Sequence, residues 1–243
     1  MEIIPAIDLK GGKCVRLRQG KDEETTLYSS DPVGTAQEWV RQGATRLHVV
    51  NLDGAFDRPS GNLAVLEKIT SAVSVEVEFG GGLRSHAAIR NAFAAGAAKI
   101  VVGTIALEDP VLLSEVLRTY DPSKIIVALD GIEGRVATRG WTVTTKAGIV
   151  DTACTLFLAG VEEILVTDIH RDGMMTGPDV ATLGAVAEIG LRVIASGGIS
   201  SIEDVRRLLA LDKANLTGAI IGKALYEGVI HLDEAIAVVN GKR

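Results

Sequence analysis

Ile3-Ile4-Pro5-Ala6-Ile7-Asp8 is an apolar run of strand length that ends on a single carboxylate, and Ile125-Ile126-Val127-Ala128-Leu129-Asp130 repeats this design 122 residues later. The second run begins at the midpoint of a chain of 243 residues. An ionised aspartate at the end of a buried strand loses its hydration, so it needs hydrogen bonds or a position beside a cleft. Asp8 could simply bond the Gly11-Gly12 turn, but the repetition favours a role for both carboxylates in a cleft.

The composition limits the class of protein. Hydrophobic residues make up 47% of the chain and aromatic residues only 4%, so the core must consist of Val, Ile, Leu and Ala, which suits buried parallel strands. The formal net charge is −6 without a basic stripe, which predicts no binding of nucleic acid. Cys14 and Cys154 form neither a CxxC pair nor a disulfide framework. With no leader pattern and no apolar run of about 18 residues, we expect a cytoplasmic protein that binds no membrane, and we expect a monomer.

Strand and helix patterns alternate along the chain. After the first run, Cys14-Val15-Arg16-Leu17 can form a short hairpin, and the polar residues 20–30 suggest an exposed loop. Further strands are predicted at 46–50, 75–79, 99–102, from Ile125, at 163–167, 192–195 and 219–221. Helices are predicted between them after Asp31-Pro32, near 62–72, from Ser85, at about 110–117, near 150–158, after Pro178 and from Ser201, with Asp31-Pro32 and Ser85 as start signals.

Eight alternating units predict an α/β protein with a parallel sheet, and closure into a (β/α)8 TIM barrel is the economical architecture. A doubly wound sheet would need a fingerprint glycine loop after the first strand, and Gly11-Gly12 lacks the third glycine. Corresponding glycine turns recur 116 to 119 residues apart, for example Gly82 with Gly198 and Gly103 with Gly222. We therefore expect one domain over residues 1–243, made of half-barrels at about 1–122 and 123–243.

The loops that follow the strands of such a barrel carry the active site because they open on one face. Asp8 and Asp130 face each other by the repeat, and Asp172 lies in the loop after the sixth strand. Carboxylates in different environments can serve as base and acid. The histidines have no metal-ligand spacing, so we expect no metal site, and His48 fits a satisfied core histidine.

Glycine turns at four strand ends predict two phosphate sites on opposite rims of the barrel. Backbone N–H groups in such turns can approach an anion, although each turn alone could be ordinary turn chemistry. Arg16 and Arg84 could add positive charge. The candidate phosphate-binding residues are Gly81, Gly82, Gly103 and Thr104 in the first half and Ser196, Gly197, Gly198, Gly222 and Lys223 in the second.

Motifs over nearly the whole chain resemble one family, the phosphoribosylformimino-aminoimidazole-carboxamide ribotide isomerases of histidine biosynthesis. The motifs that carry the resemblance are Ile4-Pro5-Ala6-Ile7-Asp8-Leu9, His48-Val49-Val50-Asn51-Leu52-Asp53-Gly54-Ala55, Gly80-Gly81-Gly82-Leu83-Arg84-Ser85, Arg139-Gly140-Trp141, Thr167-Asp168-Ile169, Arg171-Asp172-Gly173, Ala195-Ser196-Gly197-Gly198 and Gly222-Lys223-Ala224-Leu225-Tyr226.

The resemblance implies an intramolecular aldose–ketose isomerase, which performs an Amadori rearrangement on a ribonucleotide with a phosphate at each end and uses no cofactor. It implies that Asp8 is the proton acceptor, and it leaves Asp130 and Asp172 as alternative proton donors. The substrate-binding positions that it implies are Arg16, Thr167, Arg139, Trp141 and Arg84.

Three alternatives bear on this interpretation. The sister cyclase of the same pathway resembles Cys-Leu-Asp at the first strand end, where this chain has Ala6-Ile7-Asp8. A bifunctional isomerase that also accepts phosphoribosyl anthranilate matches the same Asp, Arg and Trp positions, so that possibility stays open. A non-catalytic phosphosugar-binding barrel would keep the glycine turns but would have no need of the aspartates.

Residues 20–30 and the Arg139-Gly140-Trp141 loop are the predicted lids of the mouth.

Overall fold

Eight parallel strands close into a barrel in the computed structural model, which describes residues 1–241. Barrel strands pair in the order β1-β4-β5-β6-β7-β10-β11-β12, and β12 pairs with β1 to close the ring. The predicted (β/α)8 barrel is confirmed. The strands of the described part are β1 (Glu2–Lys10), β2 (Lys13–Arg18), β3 (Lys21–Ser29), β4 (Arg46–Asn51), β5 (Glu76–Gly80), β6 (Lys99–Val102), β7 (Ile125–Ile132), β8 (Arg135–Thr138), β9 (Val143–Gly148), β10 (Glu163–Asp168), β11 (Arg192–Ser196) and β12 (Leu216–Ile221).

Helices connect the barrel strands and surround the ring. They are α1 (Pro32–Arg41), α2 (Leu52–Ala55), α3 (Asn62–Ala72), α4 (His86–Ala94), α5 (Thr104–Glu108), α6 (Pro110–Thr119), α7 (Ile149–Leu158), α8 (Val180–Ala187), α9 (Ile202–Leu209), α10 (Lys223–Tyr226) and α11 (Leu232–Val239). The predicted helix starts are confirmed, because the side chains of Asp31, Ser85 and Ser201 each accept a hydrogen bond from a backbone N–H of the first turn. Such a cap contributes about 1 kcal/mol. The short helices α2, α5 and α10 and the last helix α11 are additions to the predicted elements.

Two antiparallel hairpins extend the barrel strands that end on the aspartates. β2 pairs with β1 and β3, and β8 pairs with β7 and β9. The prediction of an exposed loop at 20–30 is therefore wrong, since β3 occupies most of it. β3 is polar from Lys21 to Thr26 and buries neither of its faces, so it lacks the apolar alternation that marks a strand.

Alternate side chains of the barrel strands fill the interior. On β1 and β7, an apolar pair points inward and an aspartate follows on the same face. The interior apolar layer consists of Ile4, Ala6, Val101, Ile126, Leu165, Ile194 and Ile220, and a larger cluster fills the space between strands and helices. Burial of one isoleucine side chain contributes about 1.5–3 kcal/mol. The two aspartates thus stand on a rigid apolar layer at the carboxyl end of the barrel.

Paired charges occupy the opposite, amino-terminal end of the interior. Arg46 Nη1 lies 3.3 Å from Glu78 Oε2, and Lys99 Nζ lies 2.6 Å from Glu163 Oε2. Both glutamates are fully buried. A charge removed from water in this way has to be paired, and each of these is.

The same turns recur in both halves of the chain. Gly81 and Gly197 have φ angles of 96° and 92°. Gly103 and Gly222 have φ/ψ angles of −111°/−94° and −112°/−94°. The turn after β5 thus matches the turn after β11, and the turn after β6 matches the turn after β12. This is the order in which two similar half-barrels would place them.

Candidate active site

A cavity of about 220 Å³ opens at the carboxyl ends of the barrel strands. Every predicted acid–base residue and every predicted substrate-binding residue contributes to its wall. These are Asp8, Asp130, Asp172, Arg16, Thr167, Arg139, Trp141 and Arg84. The fold thus brings together residues that lie as much as 164 positions apart in the sequence.

Asp8 and Arg16 form an ion pair on one side of the cavity. Asp8 Oδ2 lies 2.9 Å from Arg16 Nη1, and the arginine is almost fully buried. The antiparallel pairing of β1 with β2, in which Asp8 is opposite Val15, brings Arg16 to this place. The ion pair fixes the Asp8 carboxylate in the cavity wall, within reach of a substrate in the cavity.

The surroundings of Asp172 favour the neutral form of its carboxyl group more than water does. Burial raises the pKa of Asp172 from 3.8 to about 6, with a smaller opposing effect of Arg16 and reinforcing effects of Asp8 and Asp130. A carboxyl group with a pKa near neutrality is suited to donate a proton.

The Asp130 carboxyl also has a raised pKa, and burial is the main cause. Hydrogen bonds with Trp141 and Thr167 oppose this shift, as does the charge of His48. Thr167 stands directly beside Asp130 in the register of β10 and β7. Asp130 is thus more tightly held by its neighbours than Asp172 is.

Two turns meet over the cavity. The indole ring of Trp141, in the β8–β9 turn, packs on Gly20 of the β2–β3 turn, where a Cβ would lie 2.3 Å from Cε3 of the ring. Arg139, Gly140 and Trp141 have φ angles of 56°, 63° and 71°. Left-handed backbone costs a non-glycine residue about 1–2 kcal/mol, and such residues cluster at functional sites. The Arg139-Gly140-Trp141 turn therefore lies at the cavity, and of residues 20–30 only Gly20 lines it, so closure by either segment stays a prediction.

Arg84 and Arg139 are tied to the rim by protein partners. Arg84 donates hydrogen bonds to the carbonyl oxygens of Gly54 and Ala55 at 3.1 and 3.0 Å and also pairs with Asp57. Arg139 makes a two-pronged ion pair with Glu108, with Nε to Oε1 at 3.0 Å and Nη2 to Oε2 at 3.1 Å. Both guanidinium groups thus already have acceptors within the protein.

The predicted phosphate-binding turns differ in their exposure to the cavity. Gly81, Gly82, Gly103 and Thr104 all line it, whereas Ser196 is the only member of the second set that does. Gly197 and Gly198 pack against the backbone of Asp168 and Gly177, and Gly222 lies against Arg16. The ammonium group of Lys223 donates to the carbonyl oxygen of Gly173 at 3.2 Å.

Sequence reasoning missed the Glu78 carboxylate beside the cavity. His48 Nδ1 lies 2.6 Å from Glu78 Oε1, and the histidine lines the cavity wall. The prediction that His48 is a satisfied core histidine is thus right about its partner but misses its place in the wall. The available signal was a His and a Glu at the same depth of neighbouring strands, which becomes a contact only once the register is known.

Two general features of the described residues bear on the class of protein. Residues 1–241 contain no group of three or more His, Cys, Asp or Glu side chains arranged to hold a metal ion. In the same part of the chain, no helix combines the length and the apolar character needed to span a bilayer.

A closed barrel of eight parallel strands, with a cavity at the carboxyl ends of the strands that Asp8, Asp130 and Asp172 line, is the arrangement of the (β/α)8 barrel enzymes. Comparison with known proteins gives the family. The chain belongs to the family described as histidine biosynthesis protein, which matches residues 2–231.

Full-length relatives carry the name of one enzyme, 1-(5-phosphoribosyl)-5-((5-phosphoribosylamino)methylideneamino)imidazole-4-carboxamide isomerase. The protein of that name from Microcystis aeruginosa is 44% identical over 244 residues, which covers 100% of this chain and 96% of the relative. Those from Picosynechococcus sp. and Crocosphaera subtropica are 45% and 46% identical, and each alignment covers 100% of this chain and 95% of the relative.

Proposed function

We propose that this chain is an isomerase of histidine biosynthesis that acts on the imidazole carboxamide named in its relatives, hereafter the bis-phosphoribosyl substrate. The reaction is the Amadori rearrangement that the resemblance to this family implies, in which an aminoaldose becomes an aminoketose. The observation that carries the proposal is that Asp8, which pairs with Arg16, and Asp172, whose carboxyl group has a raised pKa, line the same cavity. Identity of 44% to 46% over the whole chain supports the same reaction.

Asp172 is the acid and Asp8 is the base in this mechanism. The neutral Asp172 carboxyl donates its proton to the ring oxygen of the aminofuranose, the C1–O bond breaks, and the nitrogen lone pair forms the C1=N bond. The Asp8 carboxylate then removes the C2 proton, and the electron pair moves to C1=C2 to give an enolamine. Proton return to C1 and loss of the proton of the C2 hydroxyl give the ketose. The two carboxyl groups hold and move these protons in a cavity that shields them from bulk water.

Asp130 holds the site rather than supplying the acid. Its neighbours Trp141 and Thr167 hydrogen-bond with it, which suits a carboxyl group that fixes the turn over the cavity. We assign the acid to Asp172, whose pKa burial raises to about 6, because the hydrogen bonds that oppose the raised pKa of Asp130 do not act on Asp172.

The two phosphates of the substrate bind at turns on opposite sides of the barrel. β5 and β6 stand four strands away from β11 and β12 in the ring of eight. Gly81, Gly82, Gly103 and Thr104 hold one phosphate; Ser196, Gly197, Gly198, Gly222 and Lys223 hold the other. Backbone N–H groups supply the donors in both. Arg16, Arg84 and Arg139 supply charge, and Thr167 and Trp141 contact the middle of the substrate.

The recurring turns also support a division of the single domain into half-barrels at about 1–122 and 123–243, the last two residues lying outside the described part. The matched angles of Gly103 and Gly222 support it most directly. A monomer in the cytoplasm that binds neither nucleic acid nor membrane stays a prediction, and sedimentation velocity tests the oligomeric state.

Turnover by three variants tests the roles. Asp8→Asn and Asp172→Asn should each lower kcat by about 100- to 10,000-fold, the range for loss of a general acid or base. Asp130→Asn should lower kcat less than Asp172→Asn does. A larger loss for Asp130→Asn would assign the acid to Asp130 instead.

A further inference from the structure

The guanidinium group of Arg16 occupies the space where a side chain at Gly222 would begin. A Cβ on Gly222 would lie 2.1 Å from Nη2, 2.3 Å from Cζ and 2.7 Å from Nη1 of Arg16. Non-bonded heavy atoms do not approach this closely, since even optimal carbon contacts lie at about 3.5–4.0 Å. The Arg16 guanidinium group in its present position therefore leaves no space for a side chain at position 222.

We propose that Gly222 is a positioning residue for Arg16, in that its missing side chain leaves the space that keeps the guanidinium on Asp8 and beside Asp172. This role is separate from the binding of phosphate by the Gly222 turn. It rests on the proposed function only where turnover is concerned.

Few contacts hold Arg16 against such a displacement. Its Nη1 pairs with Asp8 at 2.9 Å, whereas its buried Nε has no hydrogen-bond partner among the described residues. The guanidinium is the far end of a flexible side chain, so a Cβ at 222 would move it rather than disrupt the backbone. A substitution at 222 should therefore leave a folded barrel in which Arg16 has left its place.

The chain offers a matched control for this substitution. Gly103 has the same backbone angles as Gly222 and opens the corresponding short helix in the first half. A Cβ at Gly103 would meet only the Cβ of Ala128, at 3.9 Å. Gly103→Ala and Gly222→Ala should have the same effects on the backbone and on a phosphate bound at these turns. Only Gly222→Ala should displace Arg16.

The pKa of the Asp172 carboxyl group depends on the position of Arg16. Arg16 faces the carboxyl groups of Asp8 and Asp172 and the phenols of Tyr28 and Tyr226. Besides Arg16, the charged and titratable groups that act on Asp172 are Asp8, Asp130 and His48. The charge of Arg16 lowers the pKa of Asp172, so removal of that charge should raise the pKa above about 6.

Two measurements on Gly222→Ala and Gly103→Ala test the proposal. The first is a ¹³C NMR titration of the Asp172 carboxyl in the protein without substrate, assigned with Asp172→Asn. The second is kcat and KM for the bis-phosphoribosyl substrate. Gly222→Ala should raise the titration midpoint by about one pH unit, the usual size of a shift from a nearby charge. It should also lower kcat by about 10- to 100-fold, as misplacement of groups around the reacting atoms does. Gly103→Ala should change KM but leave the midpoint in place.

Equal midpoints in the two variants, or a Gly222→Ala effect confined to KM, would overturn the proposal and leave Gly222 as a phosphate-binding residue only. Circular dichroism and thermal melting check that both variants fold. Because the titration needs no substrate, it decides the position of Arg16 even if the wild-type protein fails to convert the bis-phosphoribosyl substrate. That failure would instead reject the proposed function.

Discussion

Nδ1 of His48 lies 2.6 Å from Oε1 of Glu78, and the two residues stand opposite each other in the register of β4 and β5. Glu78 is completely buried, and burial by itself would raise the pKa of its carboxyl group. The hydrogen bonds and charges of His48 and Arg46 outweigh that effect, so the pKa is lowered. The Glu78 carboxylate thus fixes the ring of His48 in the cavity wall.

Glu78→Ala should lower the free energy of unfolding by about 3–5 kcal/mol at pH 7, because it removes the carboxylate partner of His48 and the nearest buried carboxylate of Arg46, which keeps Glu2 at 3.0 Å and Glu163 at 3.9 Å. Glu76→Ala is the matched control. It lies on the same strand, is more than half exposed and reaches Arg46 only at 4.0 Å, so it should cost less than about 1 kcal/mol. Urea unfolding measures both. Equal losses would show that the buried pair does not stabilise the barrel.

The cost of Glu78→Ala should also depend on pH. The folded-state pKa of Glu78 lies below the ordinary 4.5, so its stabilisation is present above pH 4.5 and is lost as the pH falls through the folded-state pKa. The difference between wild type and Glu78→Ala should therefore shrink in acid. A difference that stays constant down to the pH of acid unfolding contradicts this assignment.

Asp172 should have the opposite effect on stability. Its folded-state pKa of about 6 lies above the ordinary 3.8, so the folded protein binds this proton more tightly and loses stability as the pH rises from about 4 to 6. Asp172→Asn removes this dependence. The free energy of unfolding of Asp172→Asn, relative to that of wild type, should therefore be about 1–3 kcal/mol higher at pH 7 than at pH 4. Asp212→Asn, at an exposed position, should show no such trend. A flat difference for Asp172→Asn would mean that the carboxyl is already ionised at pH 4.

Substitution of two glycines distinguishes the cost of close packing from the cost of a left-handed backbone at the first phosphate-binding turn. Gly82 and Gly134 have φ angles of 77° and 76°. A Cβ at Gly82 would lie 2.6 Å from the carbonyl carbon of Gly54, whereas nothing lies within 4 Å of one at Gly134. Gly134→Ala should cost only the left-handed backbone term of about 1–2 kcal/mol. Gly82→Ala should cost at least about 2 kcal/mol more, as overpacking does. Similar melting temperatures for the two variants would contradict the close packing.

The barrel itself could be predicted from sequence because its strands are buried on both sides and are therefore apolar. Strand β6 was predicted at 99–102, which are its observed bounds, and α3 at 62–72. The carboxylates of Asp8 and Asp130 on β1 and β7 could also be placed at a cleft, because the same design of an apolar run followed by an aspartate occurs twice. Strand β3 could not, because a hairpin outside the barrel buries no face and shows no apolar period.

Contacts that depend on register or on loop conformation lay beyond the sequence. The pairing of His48 with Glu78 needs the alignment of two strands, and the contact of Arg16 with Gly222 needs the closure of the ring by β12 and β1. The ion pair of Arg139 with Glu108 depends on a turn with three left-handed residues in a row. Local composition does not determine any of these three arrangements.

Loss of the base should abolish turnover without loss of the fold. Asp8→Asn keeps the shape of the side chain and one acceptor for Arg16, so the barrel should remain folded at the assay temperature, with a lower melting temperature, while kcat falls by about 100- to 10,000-fold. Asp179→Asn, which changes a helix-capping carboxylate in α8, controls for the change of charge and should keep full turnover. Undiminished turnover by Asp8→Asn would exclude Asp8 as the base.

Steady-state turnover of the wild-type protein on the bis-phosphoribosyl substrate tests the central claim most directly. Phosphoribosyl anthranilate serves as the second substrate, and both reactions contain no added metal or nucleotide. The account predicts conversion of the bis-phosphoribosyl aminoaldose to its aminoketose, with a rate that Asp8→Asn and Asp172→Asn both suppress. Conversion of both substrates would make the enzyme bifunctional without changing the roles of these carboxylates. Tight binding of the bis-phosphoribosyl substrate without conversion would contradict the account and leave a phosphosugar-binding barrel.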